Sequence, residues 1–106
     1  MKVIWIPFAQ NEVRKTAQYI NKEFGKERRD QFINEVRNVS RLLGENPNLG
    51  NPEPLLADYT KMYRSYVMNN LNKIIYWIAE NQIEIVDLWD VRRDPATLTE
   101  RVNNNY

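Results

Sequence analysis

Two arginines, Arg92 and Arg93, stand where an apolar run from Ile83 to Leu88 gives way through Trp89, Asp90 and Val91 to Asp94 and Pro95. Guanidinium groups keep their charge at any physiological pH and present a fork of N–H donors, so a pair at a strand exit suits carboxylates or phosphates. Pro95 cannot donate to a strand ladder, which ends regular pairing there and makes this exit the candidate working edge. A second basic cluster, Lys26, Arg28 and Arg29, opens a helix. For both clusters the alternative is ordinary solvated surface charge. Other chemistry is bounded by absence: with no cysteine and no histidine, the chain has no thiolate nucleophile, imidazole base or disulfide, and lacks the commonest ligands of zinc.

The elements that must position these arginines come from hydrophobic period. Ile74 to Ile78 and Ile83 to Leu88 are β-branched runs linked by Ala79, Glu80, Asn81 and Gln82, the pattern of a central β-hairpin. In the first strand Ile74, Tyr76 and Ile78 oppose Lys73, Ile75 and Trp77. In the second, Ile83 and Ile85 point one way and Val86 and Leu88 the other, unless a bulge near Ile85 and Val86 shifts the phase. Upstream, Lys2 to Ile6 reads as a strand and Pro7 as the first turn of a helix without a side-chain cap. That helix carries Val13, Ala17, Ile20 and Phe24 on one face. Gly25 ends it, and a second helix to Leu43 carries Phe32, Val36, Val39 and Leu43. Two such helices make an antiparallel hairpin whose stripes face the sheet.

Glu45 to Thr60 holds three prolines, Gly50 and three asparagines, and reads as a long connection anchored by Leu49, Leu55 and Leu56. A strand follows from Lys61 to Met68, with Met62, Arg64 and Tyr66 on one face. Asn69 and Asn70 turn the chain into the hairpin. Ala96 to Val102 is expected to be a short helix, and Asn103 to Tyr106 to fray. The order is β-α-α-β-β-β with a helical tail. This is an α+β fold, with an N-terminal strand and a helical hairpin packed on a mainly antiparallel sheet.

At 106 residues with 42% hydrophobic content, residues 1–106 are expected to form one domain. A net charge of +1 confines any polyanion contact to local patches. The start, MKVIWIPF, lacks the apolar length and cleavage site of a signal peptide, and no segment approaches the roughly 20 apolar residues of a membrane span. A cytoplasmic location is the resulting expectation, with neither metal nor cofactor.

In KVIWIP, the helical hairpin, ENPNLGNPEPLLAD, KMYRSYV, LNKIIYWI and IVDLWDVRRDP, the chain resembles the RelE/ParE superfamily of bacterial type II toxins. The resemblance covers nearly the whole chain. It implies a growth-arresting protein neutralised by a cognate antitoxin, with no membrane association and no sequence-specific DNA binding. One branch of the superfamily cleaves mRNA on the ribosome. By its pattern Arg64, Lys73 and Arg92 (or Arg93) fall at the basic positions that would stabilise charge on a phosphate under attack by a 2'-hydroxyl.

Asp94, Pro95, Ala96, Thr97 and Leu98 then offer no tyrosine or histidine to move the proton. Tyr66 and Tyr76 are substitutes only if they are not strand packing. The other branch poisons DNA gyrase by binding and resembles this chain in its longer helical hairpin, so gyrase is the favoured target and ribosome-bound mRNA the alternative. A non-toxic binding module is the third possibility. Arg92, Arg93, Trp89 and Trp77 are the candidates for target or antitoxin binding, with Trp5 as a further groove-lining indole. Alternatively, Arg64 and Lys73 are spent on Asp87, Asp90 or Asp94 within the sheet.

Overall fold

Alternating large apolar residues build two long strands, β4 (Asn72–Ala79) and β5 (Gln82–Asp90), and the sheet grows outward from them. The computed structural model describes residues 1–106. The other elements are β1 (Lys2–Trp5), α1 (Pro7–Phe24), α2 (Lys26–Glu45), β2 (Asn51–Pro52), a 3-10 turn (Pro54–Leu56), β3 (Arg64–Val67) and α3 (Pro95–Asn105). The sheet order is β1-β5-β4-β3-β2, with β1 parallel to β5 and every other pair antiparallel. A parallel neighbour needs a long crossover, and the helical hairpin is that crossover.

The α+β architecture is as expected, with several corrections of detail. The stretch Glu45–Thr60 is not purely a connection: Asn51 and Pro52 pair with Ser65 and Arg64. Pro52 is tolerated because its strand is an outer edge, where no further N–H is required. The central turn is also tighter than expected. Ala79 pairs with Gln82, leaving only Glu80 and Asn81 to turn, with Asn81 at φ 57°, a left-handed conformation that asparagine tolerates.

The register shifts between Ile75 and Tyr76, which face Asp87 and Ile85 respectively and leave Val86 as the extra residue. This is the bulge. It puts Leu88 on the same face as Ile83 and Ile85, and turns Val86 and Trp89 to the other.

Two cores result. On one face, Ile74, Tyr76, Ile83, Ile85 and Leu88 meet Ala17, Phe32, Val36, Val39 and Leu43 of the hairpin. On the other, Ile75, Val86 and Trp89 lie beneath Leu56, Tyr63 and, from α3, Leu98 and Val102. Burying both faces explains why these strands read as nearly continuous apolar runs. The chain end does not fray: α3 extends to Asn105, and the Tyr106 ring lies 6.0 Å from Phe8 and 6.1 Å from Tyr63.

Pro7 opens α1 with no side-chain cap, while Gly25 at φ 96° turns the hairpin. Phe24, placed with the core by its spacing, is instead 59% exposed. The α1 stripe runs on past the surface that could cover it.

The long loop is closed by a buried phenol. The Tyr76 hydroxyl donates to the Pro47 carbonyl at 2.8 Å and accepts from the Gly50 N–H at 2.8 Å. A Cβ at position 50 would sit 2.6 Å from the Ser65 carbonyl and 2.8 Å from the Tyr76 ring. Gly50→Ala is therefore expected to cost about 1–3 kcal/mol by overpacking, read as a lower urea midpoint with unchanged slope.

Candidate functional site

The three basic positions singled out for phosphate chemistry do not converge. Residues directly opposite on adjacent strands share a face. Arg64 pairs with Tyr76, on the hairpin side, whereas Lys73 lies on the face of Ile75 and Trp77, opposite that of Ile74 and Tyr76. Arg64 Nη1 donates to the Gly50 carbonyl at 2.6 Å. Lys73 Nζ makes an ion pair with Glu53, whose side chain has no exposed surface. The pairing of the sheet cations with Asp87, Asp90 or Asp94 is thus corrected: the partners are a carbonyl and a carboxylate of the loop. Glu53 also accepts the Leu55 N–H at 3.4 Å, so a single carboxylate caps the 3-10 turn and holds Lys73.

Arg92 is the most exposed of the group, with 66% of its side chain in solvent. Its Nε and Nη2 grip both oxygens of Asp90 at 3.1 and 2.8 Å, and its backbone N–H donates to the same carboxylate at 2.9 Å. The Arg92 hydrogen bonds hold the Asp90 carboxyl below its ordinary pKa against the opposing effect of partial burial. Arg93 turns back over Trp89, 5.8 Å from its ring, and lies 3.9 Å from Glu12. Trp89 is 2% exposed and belongs to the core, so it is a prop for Arg93 and no open surface. Trp77 is half-buried beneath Lys61 at 4.5 Å, and the Trp5 indole donates to Ser40 Oγ at 3.2 Å.

The tightest polar cluster is one that spacing did not reveal. β1 pairs only as far as Ile85, so Asp87 lies on β5 beyond the end of that neighbour. The carboxylate is fully buried and is held by Arg101 of α3 through Nε at 2.7 Å and Nη2 at 2.6 Å, with the Tyr106 hydroxyl donating as well. Arg101 also reaches Glu12 of α1 at 3.5 Å and stacks 4.7 Å from the Phe8 ring. Burial disfavours its charge, but Asp87 and Glu12 outweigh that and raise its pKa overall. Burial first, then the charge of Asp87, raises the Tyr106 pKa. No single window of residues signals this cluster, because its members come from α1, β5 and α3.

Arg92 and Arg93 border a groove of about 870 Å³ between α1, α2, the Asn69–Asn72 turn and the β5 exit. The half-buried Ile20 contributes apolar surface to it, the core residues Phe32 and Leu88 lie beneath it, and Tyr19 and Phe24, each 59% exposed, contribute aromatic rings.

Strand order, helical hairpin and basic exit together have a counterpart among known proteins. The family model for the ParE toxin of the type II toxin-antitoxin system parDE matches residues 3–95. The chain belongs to the ParE toxin family. Its place in the RelE/ParE superfamily is thereby shown, and membership implies a cognate antitoxin as partner.

Similar solved structures share the fold. A chain of the chromosomal ParDE system from P. aeruginosa has a TM-score of 0.71 at 14% identity, covering 86% of this chain and 96% of that one. The YoeB/ParE toxin from Agrobacterium tumefaciens gives 0.57 at 17%, covering 85% and 98%. YoeB from Staphylococcus aureus, solved as a dimer, gives 0.55 at 19%, covering 83% and 93%. No curated protein matches by sequence. The family match ends where α3 begins, so Arg101 and Tyr106 lie outside the matched region while their partners Asp87 and Glu12 lie within it. No helix is long and apolar enough to cross a membrane.

Two outcomes test the site's electrostatics. Arg101→Met leaves Asp87 buried without its cation and should cost about 3–5 kcal/mol, while adding Asp87→Leu should restore most of it, both read from urea unfolding. The pKa values of Tyr63, Tyr76 and Tyr106 are all raised, with burial the leading cause. Native phenols that hold their protons longer than unfolded ones contribute stability below pH 10.0, the unfolded value. That contribution fades as pH rises through the native values. Midpoints measured from pH 8 to 11 should be flat at first and fall above about pH 10.

Proposed function

We propose that this chain is a toxin that arrests growth by binding its target rather than by cleaving RNA, with DNA gyrase the favoured target. The observation that carries this reading is the dispersal of the basic side chains. Charge stabilisation of a phosphate in its transition state needs donors that converge on one oxygen. Here Arg64 and Lys73 serve opposite faces of the sheet and each is committed to a loop. The proton-transfer requirement is also poorly met. Tyr76 is fully buried with its hydroxyl engaged twice, and burial pushes its pKa away from the working range of a general base. Gyrase is preferred on the resemblance of the long helical hairpin to the gyrase-poisoning branch of the superfamily.

One observation supports the alternative, a ribosome-dependent endonuclease: the Arg92 guanidinium is largely in solvent at the strand exit, where a bound complex could redirect it from Asp90. The two readings separate in a paired experiment. Purified protein should inhibit gyrase supercoiling, and mapping of mRNA ends after induction should reveal no new codon-positioned 5' ends. New 5' ends with normal supercoiling would reverse the assignment. Harmless expression of the isolated chain would favour a non-toxic binding module.

A further inference from the structure

Asp90 does two jobs at the end of β5. Its carboxylate accepts the Arg92 backbone N–H at 2.9 Å and its carbonyl accepts the Arg93 N–H at 3.1 Å, so the residue folds the turn by which the chain leaves the sheet. The same carboxylate takes the Arg92 guanidinium on both oxygens, Nε at 3.1 Å and Nη2 at 2.8 Å. The turn needs only one of those oxygens, since an asparagine amide makes the same side-chain turn. The charge and the second oxygen serve the guanidinium alone. A forked contact on two oxygens is also how arginine takes an external carboxylate or phosphate.

The two partners are not equally free to leave. Asp90 is fixed by the sheet: it pairs with Asn72 of β4, and the next N–H, that of Val91, donates to the Leu71 carbonyl at 2.9 Å. The Arg92 side chain is far more exposed than that of Asp90 and borders the same groove as Arg93. Arg93 has no comparable partner. It reaches Glu12 only at 3.9 Å, and Asp94, the next carboxylate along, accepts the Ala96 N–H at 3.0 Å as the cap of α3. The strand exit therefore holds one arginine closed on its own chain and one held loosely.

We propose that Asp90 is a built-in mask on Arg92: its carboxylate fills the guanidinium fork in place of an external two-oxygen anion and keeps the strand exit a weak anion binder. The contact belongs to the chain itself, so it stands whichever target the toxin has. An exposed ion pair is a weak lock, and that suits a mask, which must yield to a ligand that engages Arg92 and Arg93 together. Arg92 is the movable half. The turn survives its release because the backbone hydrogen bonds to Asp90 do not involve the guanidinium.

The test is a titration of the protein with inorganic phosphate, and separately with acetate, at constant ionic strength, following the arginine Nε–H signals by NMR. Asp90→Asn keeps the turn-forming oxygen and removes the fork's partner. It should bind anions about fivefold more tightly than the wild type, the upper end for an exposed pair, with thermal unfolding unchanged. The double variant D90N/R92M should lose that gain. A larger gain with phosphate than with acetate supports a phosphate ligand and the reverse a carboxylate one, and either supports the mask. In the wild type, the Arg93 signal should move at lower anion concentration than the Arg92 signal, a result that needs no variant to fold. Equal affinity of D90N and wild type overturns the proposal. So does a gain that persists in D90N/R92M, which would be a general effect of net charge, and so does a wild-type Arg92 signal that moves first.

Discussion

A fully buried carboxylate in the middle of a strand is an expensive thing to fold around, and Asp87 imposes that constraint on the whole C-terminal half of the molecule. A buried charge must be met by an opposite charge in good hydrogen-bonding geometry or the fold is lost. Arg101 and Tyr106 meet it, which requires α3 to cross the sheet, and in crossing it brings Leu98 and Val102 over Trp89 and Val86. The bulge at Val86 belongs to the same arrangement. It shifts the side-chain phase so that Leu88 still serves the hairpin core while Trp89 serves the α3 core. Electrostatics thus decides how the second face is covered, and hydrophobic burial supplies the stabilisation once it is.

The same logic accounts for the basic residues that first suggest phosphate chemistry. Each sheet cation is coupled to a loop: Lys73 to Glu53, which caps the 3-10 turn, and Arg64 to Gly50, whose N–H is held by Tyr76. These contacts close the long proline-rich connection onto two faces of the sheet. Charges used in this way are poorly placed to move toward a substrate, since removing one partner strands the other. The more exposed cations lie elsewhere, around the overhanging end of the helical hairpin and the strand exit.

Much of this was legible from period alone. The stripe Phe32, Val36, Val39 and Leu43 is buried as its spacing requires, and the opposed faces of β4 hold because strand period is two. β2 was not legible, because a two-residue strand has no period and its pairing depends on β3. Ion partners were not legible either. Glu53 is 20 positions from Lys73, and Asp87 is 14 from Arg101, so both pairs exist only after the sheet register is set. The most instructive miss is Phe24. Its spacing placed it in the core, and only the extent of the sheet shows that the stripe outruns its cover.

The central claim is that Lys73 serves the fold and not the chemistry, and it is tested most directly by neutralising the ion pair as a unit. The double variant E53Q/K73M keeps similar volumes and leaves neither charge stranded. Growth arrest should be measured beside thermal unfolding in the same strain background. The account predicts a folded protein that arrests growth as the wild type does. A folded double variant that has lost growth arrest would contradict it, because Lys73 would then be needed for something other than holding Glu53.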